Sequence, residues 1–367
     1  MMRRARRPAQ AVTTALAVIC LTGLTGPGAA TATASPARSL AAPVKWSPEL
    51  GPVPGARTNT APALADVSLG QHRSSLLLFW TGPAEGTAGF RISYQTSLNL
   101  RKNAWSKPSL VASGKPLTRS RPAASPIGPA GSGQVIVAWK DPADPRLLYS
   151  IGQEGKNGVL SWSTVAAIPG ASAASGPSVY RPQHSNLILV TWQAASGHAV
   201  DYVVGFPTTD GGVKWEAPGT LPRSAATGTP AIAEASVSSR DGLLYVLWQV
   251  PGSAGQIDFA TTPEAELGQA QWSFPQALPP SVMTGAPPSA QAVGKAMTTY
   301  PLLVVYRARH GAALSYVTLT ASGGVPKPQP VPHLRSSNGT AISPGVLAAE
   351  DPGKLFYEPY VRPCAGC

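Results

Sequence analysis

The sequence predicts an all-β protein, and three observations lead to this class. Charged residues make up only 13% of the 367 residues, while the chain contains 39 Pro and 37 Gly. Short runs rich in Val, Ile, Leu, Tyr and Trp alternate with turn residues, which is typical of many short strands. No segment carries the i, i+3, i+4, i+7 apolar spacing of an amphipathic helix. A Gly and Pro content this high also occurs in disordered chains, but the regular spacing of the aromatic residues favours a folded protein.

An internal repeat specifies the architecture within this class. Four sequence pieces recur in a fixed order about every 53 to 60 residues. The first piece is a strand that starts at Pro, and the second is an apolar strand that ends in an aromatic residue. The third is a shorter strand around Tyr or Phe, and the fourth carries a Trp. Four strands per unit predict a β-propeller, and six copies of the first two pieces predict six blades. We expect most of these aromatic side chains to pack between blades.

The two ends of the repeat are complementary. In the sixth unit the first piece is assigned to residues 343–346 and the second to residues 355–357, and the chain runs out near Val361 before a fourth strand. A spare fourth piece, Trp-Ser-Pro at 46–48, stands at the other end. We therefore expect an N-terminal strand to complete the last blade, because a closed ring leaves only short, protected edges. A pair of β-sandwiches would explain the strands but not this six-fold order.

The first residues have the pattern of a secretory signal peptide. Four Arg precede a short apolar stretch and a small-residue segment with two Ala-x-Ala sites, and the predicted cleavage follows Ala34. We expect residues 1–34 to be the signal peptide, 35–363 the propeller and 364–367 a C-terminal tail. The apolar stretch is shorter than the about 20 residues of a good membrane span. The mature protein is thus expected to be secreted, without a stable membrane span.

Charge narrows the class of partner. The net charge is +12, and loss of residues 1–34 would remove four basic and no acidic residues, leaving +8. This favours contact with acidic glycans or another anionic polymer of the cell surface. The Lys and Arg residues are scattered rather than clustered, so nucleic acid is not an expected partner.

Two cysteines remain after the predicted cleavage. Cys364 and Cys367 form a Cys-x-x-Cys tail, and a disulfide between them is the expected state in an exported protein. Two ligands are too few for a closed zinc site, and the βαβ setting of a redox pair is missing. The sequence therefore predicts no metal site and no cofactor, and we expect a monomer.

One turn carries a resemblance to a known family. The segment Thr-Thr-Asp-Gly-Gly-Val-Lys-Trp at 208–215 resembles the Asp-box, the Ser/Thr-x-Asp-x-Gly-x-Thr-Trp turn of sialidase-type propellers, with Lys214 in place of Thr. A weaker copy lies at 157–162. The resemblance implies a secreted, bacterial, sialidase-like six-bladed propeller in which this box is a structural turn. It also implies an active site with three Arg, a Tyr paired with Glu, and an Asp acid/base. Lectin propellers, which bind sugars between blades, are a second resemblance through the strand that ends in an aromatic residue.

Strand direction predicts where a ligand would bind. The loops that enter the first strands and the loops from second to third strands lie on one face, and the Asp-box turns lie on the other. Loops on a rigid scaffold commonly carry function, and Arg suits contact with carboxylate or phosphate. For any single residue, a solvated basic rim is the alternative. The predicted ligand-binding residues are Arg57, Arg121, Trp139, Lys140, Arg223, Arg307, Arg309 and Arg335.

Three functions are compatible with this face. The favoured hypothesis is a lectin-like protein that binds glycans, including acidic ones. The first alternative is a sialidase-like exo-glycoside hydrolase, which needs two carboxyl groups about 5–10 Å apart. The second alternative is a propeller that binds another protein. Only 17 residues are acidic, which favours binding over catalysis. The sequence assigns no catalytic residue, and the candidates for the hydrolase are Asp141, Asp144, Tyr357 and Glu358, with Glu85 as a further carboxylate.

Overall fold

The computed structural model describes residues 44–48, 50–68, 74–84, 89–114, 117–129, 131–155, 159–236, 242–269, 271–292, 302–319, 325, 327–344, 346–351 and 354–361. The predicted signal peptide, Glu85, Cys364 and Cys367 lie outside these ranges. Within the described ranges, none of the helices has the length and apolar character to span a bilayer.

The regular secondary structure of the described residues is β-strand, apart from short 3₁₀ segments at Leu100–Lys102, Val111–Gly114 and Glu264–Gln269. The strands in chain order are β1 (Lys45–Trp46), β2 (Ala63–Ser68), β3 (Ser74–Ala84), β4 (Phe90–Asn99), β5 (Ala104–Trp105), β6 (Ser109–Leu110), β7 (Leu117–Thr118), β8 (Ala123–Ile127), β9 (Gln134–Lys140), β10 (Arg146–Glu154), β11 (Leu160–Trp162), β12 (Ala166–Ser172), β13 (Ser178–Tyr180), β14 (Ile188–Gln193), β15 (Val200–Pro207), β16 (Val213–Trp215), β17 (Gly219–Thr220), β18 (Ala231–Ser236), β19 (Gly242–Gln249), β20 (Ile257–Pro263), β21 (Gln276–Ala277), β22 (Ser289–Ala292), β23 (Leu302–Arg307), β24 (Ala313–Leu319), β25 (Gln329–Arg335), β26 (Thr340–Ser343), β27 (Val346–Asp351) and β28 (Lys354–Val361).

These strands form six antiparallel sheets, each a blade. The orders are β2-β3-β4-β5, β8-β9-β10-β11, β13-β14-β15-β16, β18-β19-β20-β21, β22-β23-β24-β25 and β26-β27-β28-β1. The first strands β2, β8, β13, β18, β22 and β26 contact one another in that order, and β26 contacts β2 again. They surround a central channel lined by residues of all six strands. The protein is a six-bladed β-propeller, as the repeat predicts.

The ring closes through the N-terminal strand. β1 pairs with β28 in the register Lys45 with Val361 and Trp46 with Tyr360. Two further bridges, Leu50 with Tyr357 and Arg57 with Lys354, continue this edge along the third strand. The expected completion of the last blade by the segment at 46–48 is confirmed.

The sixth blade corrects one assignment. Its first strand is β26, which ends at Ser343, and its second is β27, which begins at Val346. Residues 355–357 lie on β28, the third strand, and Glu358 lies there too rather than in a loop. The reason is Ala349, which occupies the position where the second strands of the other blades carry Trp or Tyr. Because β27 lacks that aromatic residue, β28 fits the sequence pattern of an apolar second strand that ends in an aromatic residue better than β27 does.

Aromatic pairs join neighbouring blades. The Tyr of a third strand packs against the fourth-strand Trp of the next blade, with ring planes 59–81° apart. Tilted pairs of this kind contribute about 0.5–1.5 kcal/mol beyond their burial. Blade 5 has no fourth-strand Trp to receive the third-strand aromatic residue of blade 4, which is Phe259. Phe259 packs instead on Tyr245 of the same blade, blade 4. The five pairs are Tyr94–Trp162, Tyr149–Trp215, Tyr202–Trp272, Tyr316–Trp46 and Tyr357–Trp105.

The turn at 208–212 joins the third and fourth strands of blade 3, as the repeat predicts. Asp210 Oδ1 accepts hydrogen bonds from the Thr208 hydroxyl and from the Gly212 N–H. These bonds hold the pKa of Asp210 below its usual value. Beneath the turn, Trp215 lies on Gly205, where an added Cβ would stand 2.6 Å from the indole. Glycine is therefore required for this Trp to pack on its strand.

Candidate functional site

The loop face is the face that carries the loops into the first strands and the loops from second to third strands. Each blade places one polar side chain on it, at the position after the Trp, Tyr or Ala349 near the end of the second strand. We call these six residues the polar ring. They are Thr81, Lys140, Gln193, Gln249, Arg307 and Glu350.

Most of the polar ring fastens loops of the scaffold. The Gln193 side-chain oxygen accepts a hydrogen bond from the Gly228 N–H at 2.9 Å. Thr81 shares a hydrogen bond with the Thr60 hydroxyl at 2.7 Å. The Asn338 amide donates to Glu350 at 3.0 Å. These bonds tie the end of a second strand to a loop entering a first strand.

Arg307 has the same structural task. Its two terminal nitrogens donate to the backbone oxygens of Gly285 and Ser337, which belong to the loops entering blades 5 and 6. The predicted ligand-binding guanidinium is therefore committed to the backbone of two blades.

Lys140 differs from the other members of the ring. Its ammonium donates to the backbone oxygen of the adjacent Asp141 at 3.3 Å, so it fastens no second loop among the described residues. It opens the connection of blade 2, residues 140–146, which lies between two surface pockets.

That connection holds its own shape through its acids. Asp141 accepts from the Ala143 N–H at 2.9 Å, and Asp144 accepts from the Arg146 N–H at 2.8 Å. The Arg146 guanidinium reaches Asp144 at 2.7 Å and Asp141 at 3.7 Å. The hydrogen bond from the Arg146 backbone, with its guanidinium, lowers the pKa of Asp144. Asp141 and Asp144, two of the candidate catalytic residues, are thus turn residues that share one Arg.

The larger pocket, of about 1100 Å³, lies between blades 1 and 2. Blade 1 contributes residues around Arg119, and blade 2 contributes Trp139, Asp141 and Trp162. Trp139 is completely covered, whereas Trp162 is partly exposed. The remaining lining is apolar or hydroxylic: Ala112, Ser113, Leu117, Pro142, Ala143, Leu148, Leu160, Ser161, Ser163, Thr164 and Val165. An apolar and aromatic pocket with a few polar groups is the usual form of a small-molecule site.

Two smaller spaces are lined by other predicted site residues. One, of about 350 Å³, lies between blades 2 and 3 and is lined by Lys140 and Asp144. The other is the central channel, of about 270 Å³, where Arg121 stands among small side chains of the first strands. Burial lowers the pKa of Arg121 to about 10, so it stays protonated at neutral pH.

Four predicted Arg residues lie away from the pocket. The backbone of Arg57 forms a β-bridge with Lys354 at the edge of blade 6. Arg309 and Arg335 are exposed near blade 5. Arg223 has a left-handed backbone, φ 52°, and its guanidinium lies 4.7 Å over the Phe274 ring. The structure therefore does not assemble the predicted residues into one basic site.

Tyr357 and Glu358 lie inside the propeller. The Tyr357 hydroxyl donates to the Leu100 oxygen at 2.6 Å, and its ring packs on Trp105. Glu358 is fully buried, 2.9 Å from Nδ1 of His333 on blade 5. Their burial follows from their place on a third strand, and it separates them from the acids at 140–146.

Trp162 and Arg119 were not among the predicted site residues. Trp162 belongs to the fourth-strand piece that the sequence assigns to packing. No signal within one repeat shows that it also walls a space against the preceding blade.

Comparison with solved structures shows which known proteins share this fold. No family and no curated protein matches the chain. Among solved structures, the sialidase NanB from Streptococcus pneumoniae matches with a TM-score of 0.54 and 11% identity, over 88% of this chain and 71% of that chain. This chain has the same six-bladed propeller fold. The GH93 α-L-arabinofuranosidase of Fusarium graminearum, in complex with arabinobiose, matches with a TM-score of 0.58 and 13% identity, over 87% of this chain and 98% of that chain. A lectin from Aleuria aurantia, in complex with Fucα1-6GlcNAc, matches with a TM-score of 0.51 and 13% identity, over 82% and 94%.

Proposed function

We propose that this protein is a secreted, lectin-like propeller that binds glycans in the pocket between blades 1 and 2. The observation that carries the proposal is the pocket itself, in which Trp162 and apolar side chains adjoin Arg119 and Asp141. Sugars present apolar C–H faces and polar hydroxyl edges, and such a mixed lining can contact both.

The charges around the pocket support an acidic glycan. Arg119 lies at the pocket, and Lys140 opens the neighbouring connection. A guanidinium can bind a carboxylate or sulfate through two parallel hydrogen bonds. The positive net charge would raise the rate at which an anionic polymer meets this face.

The state of the acids favours binding over hydrolysis. A glycosidase acid needs a raised pKa, but the pKa of Asp144 is lowered. Asp141 and Asp144 share Arg146 as a counter-charge. Two carboxylates held in this way stabilise the conformation of the loop and are poorly suited to proton transfer.

The remaining sequence predictions complete the proposal. We propose export through the signal peptide at 1–34, a Cys364–Cys367 disulfide, an Asp-box at 208–215 and a monomeric state. Each is consistent with an extracellular carbohydrate-binding protein. Intact mass of the secreted protein tests the cleavage and the disulfide, and sedimentation tests the monomeric state.

A glycan-array screen of the purified mature protein, beside hydrolysis of fluorogenic glycosides that include sialosides, tests the function. We expect saturable binding without turnover. Arg119→Gln and Asp141→Asn should weaken binding at least about tenfold, because a site built to pair a polar group loses strongly when that partner is removed. Asn at 141 can still accept the Ala143 N–H, so the loop should keep its shape.

Arg101→Gln is the matched control. Arg101 is exposed on the connection from third to fourth strand of blade 1 and does not line the pocket. Its replacement removes the same charge and should leave binding unchanged. Turnover that Asp141→Asn abolishes would make the protein a hydrolase. A protein that neither binds nor cleaves any glycan would refute the proposal and favour a protein-binding propeller.

A further inference from the structure

A second cluster of polar side chains lies on the opposite face, here called the turn face, between blades 3 and 4. His184 lies in the turn between β13 and β14, Glu234 on β18, and Glu264 directly after β20. One ligand atom from each residue lies within 4.8 Å of the other two. The cluster shares no residue with the pocket of the loop face.

The turn of blade 3 is folded onto the two carboxylates. The Gln183 N–H donates to Glu234 Oε2 at 2.8 Å, and the His184 N–H donates to Glu264 Oε1 at 3.0 Å. Gly242 makes room for the pair, since an added Cβ would stand 2.2 Å from Glu234 and 2.8 Å from Glu264. The carboxylates are thus positioned by backbone groups and not by chance at a flexible surface.

One oxygen of each carboxylate has no partner. Glu234 is fully buried and Glu264 is 5% exposed, yet Glu234 Oε1 and Glu264 Oε2 accept no hydrogen bond among the described residues. Within the same residues, no Lys or Arg nitrogen lies within 4.0 Å of either group, and the nearest cationic candidate is His184 Nε2 at 4.0 Å from Glu234 Oε1. Burial, together with the neighbouring Glu264, raises the pKa of Glu234 above its usual value. Two buried carboxylates lacking a counter-charge are costly.

We propose that His184, Glu234 and Glu264 bind a divalent transition-metal ion that links the turn of blade 3 to blade 4. One imidazole and two carboxylates form a ligand set that suits Zn²⁺ or Mn²⁺, with water completing the shell. Ligand distances of about 2.0–2.2 Å require the three groups to close by several tenths of an ångström. His184 can make this movement, because its side chain is 33% exposed and lies in a turn.

The test is Zn²⁺ binding to tag-free, chelator-treated mature protein, measured by isothermal titration calorimetry and by the melting temperature with and without Zn²⁺. We expect one ion per chain and a higher melting temperature, because an ion that binds only the folded state stabilises it. His184→Ala and Glu264→Gln should each weaken binding by at least about tenfold. Mn²⁺ serves as the second probe.

His310→Ala is the matched control. His310 is exposed in the connection between the second and third strands of blade 5, on the loop face, and belongs to no cluster of three potential ligands among the described residues. Its loss should leave the stoichiometry and the affinity unchanged. The proposal is wrong if neither ion binds saturably, in which case the two acids share a proton. It is also wrong if His184→Ala binds as well as the wild type, or if His310→Ala weakens binding equally.

Discussion

Replacing Trp46 with Ala tests whether the N-terminal strand holds the ring closed. Trp46 lies 5.5 Å from the Tyr316 ring and 5.3 Å from the Tyr360 ring, and so bridges blades 5 and 6. Truncating a large buried aromatic residue costs about 3–5 kcal/mol. Trp46 is only partly buried, which places it at the low end of that range. Since two tilted ring contacts are also lost, we expect the free energy of unfolding to fall by about 3 kcal/mol.

Urea unfolding followed by circular dichroism measures this loss without depending on Trp fluorescence. Trp46→Phe should recover much of the stability, because a ring remains between the two Tyr. Leu98→Ala is the control, since Leu98 is 69% exposed, and it should change stability by less than about 0.5 kcal/mol. If Trp46→Ala costs less than about 1 kcal/mol, β1 does not contribute to closure as we infer, and the reasoning fails.

Two further predictions concern the scaffold. Arg307→Lys should cost about 1–3 kcal/mol in urea unfolding, because a single ammonium cannot replace the guanidinium that bonds the oxygens of both Gly285 and Ser337; a loss equal to that of the exposed Arg309→Lys would contradict the clamp. Glu154 is buried with one oxygen unpartnered, and burial raises its pKa above the usual value of 4.5. The folded state then holds the proton more tightly, so stability falls as pH rises above about 4.5. Glu154→Gln should gain more in melting temperature over wild type at pH 8 than at pH 4, and an equal difference at both would refute this.

The sequence carried the architecture because the fold repeats. Each blade needs the same turn residues and the same aromatic side chains between blades, so the six copies support one prediction. The unmatched fourth piece at Trp46 predicted that the N-terminal strand closes the ring. The prediction for the sixth blade was wrong in its strand assignment, because Ala349 stands where the other blades carry Trp or Tyr. A pattern that rests on one residue type is lost when that residue is small.

The candidate site was less accessible to sequence reasoning. Lys140 and Asp141 follow from the direction of the strands, which places their loop on the loop face. Arg307 joins two loops by donating to two backbone oxygens from distant segments. No local sequence pattern predicts these hydrogen bonds. Trp162 meets the pocket only because blade 1 packs beside it. His184, Glu234 and Glu264 likewise converge through the packing of two blades.

The most direct test of the account is a crystal structure of the mature protein with the glycan that binds best on the array. We predict that the sugar lies between blades 1 and 2, against Trp162 and within hydrogen-bond distance of Arg119 or Asp141. A glycan bound in the central channel, or on any other blade with this pocket empty, would contradict it.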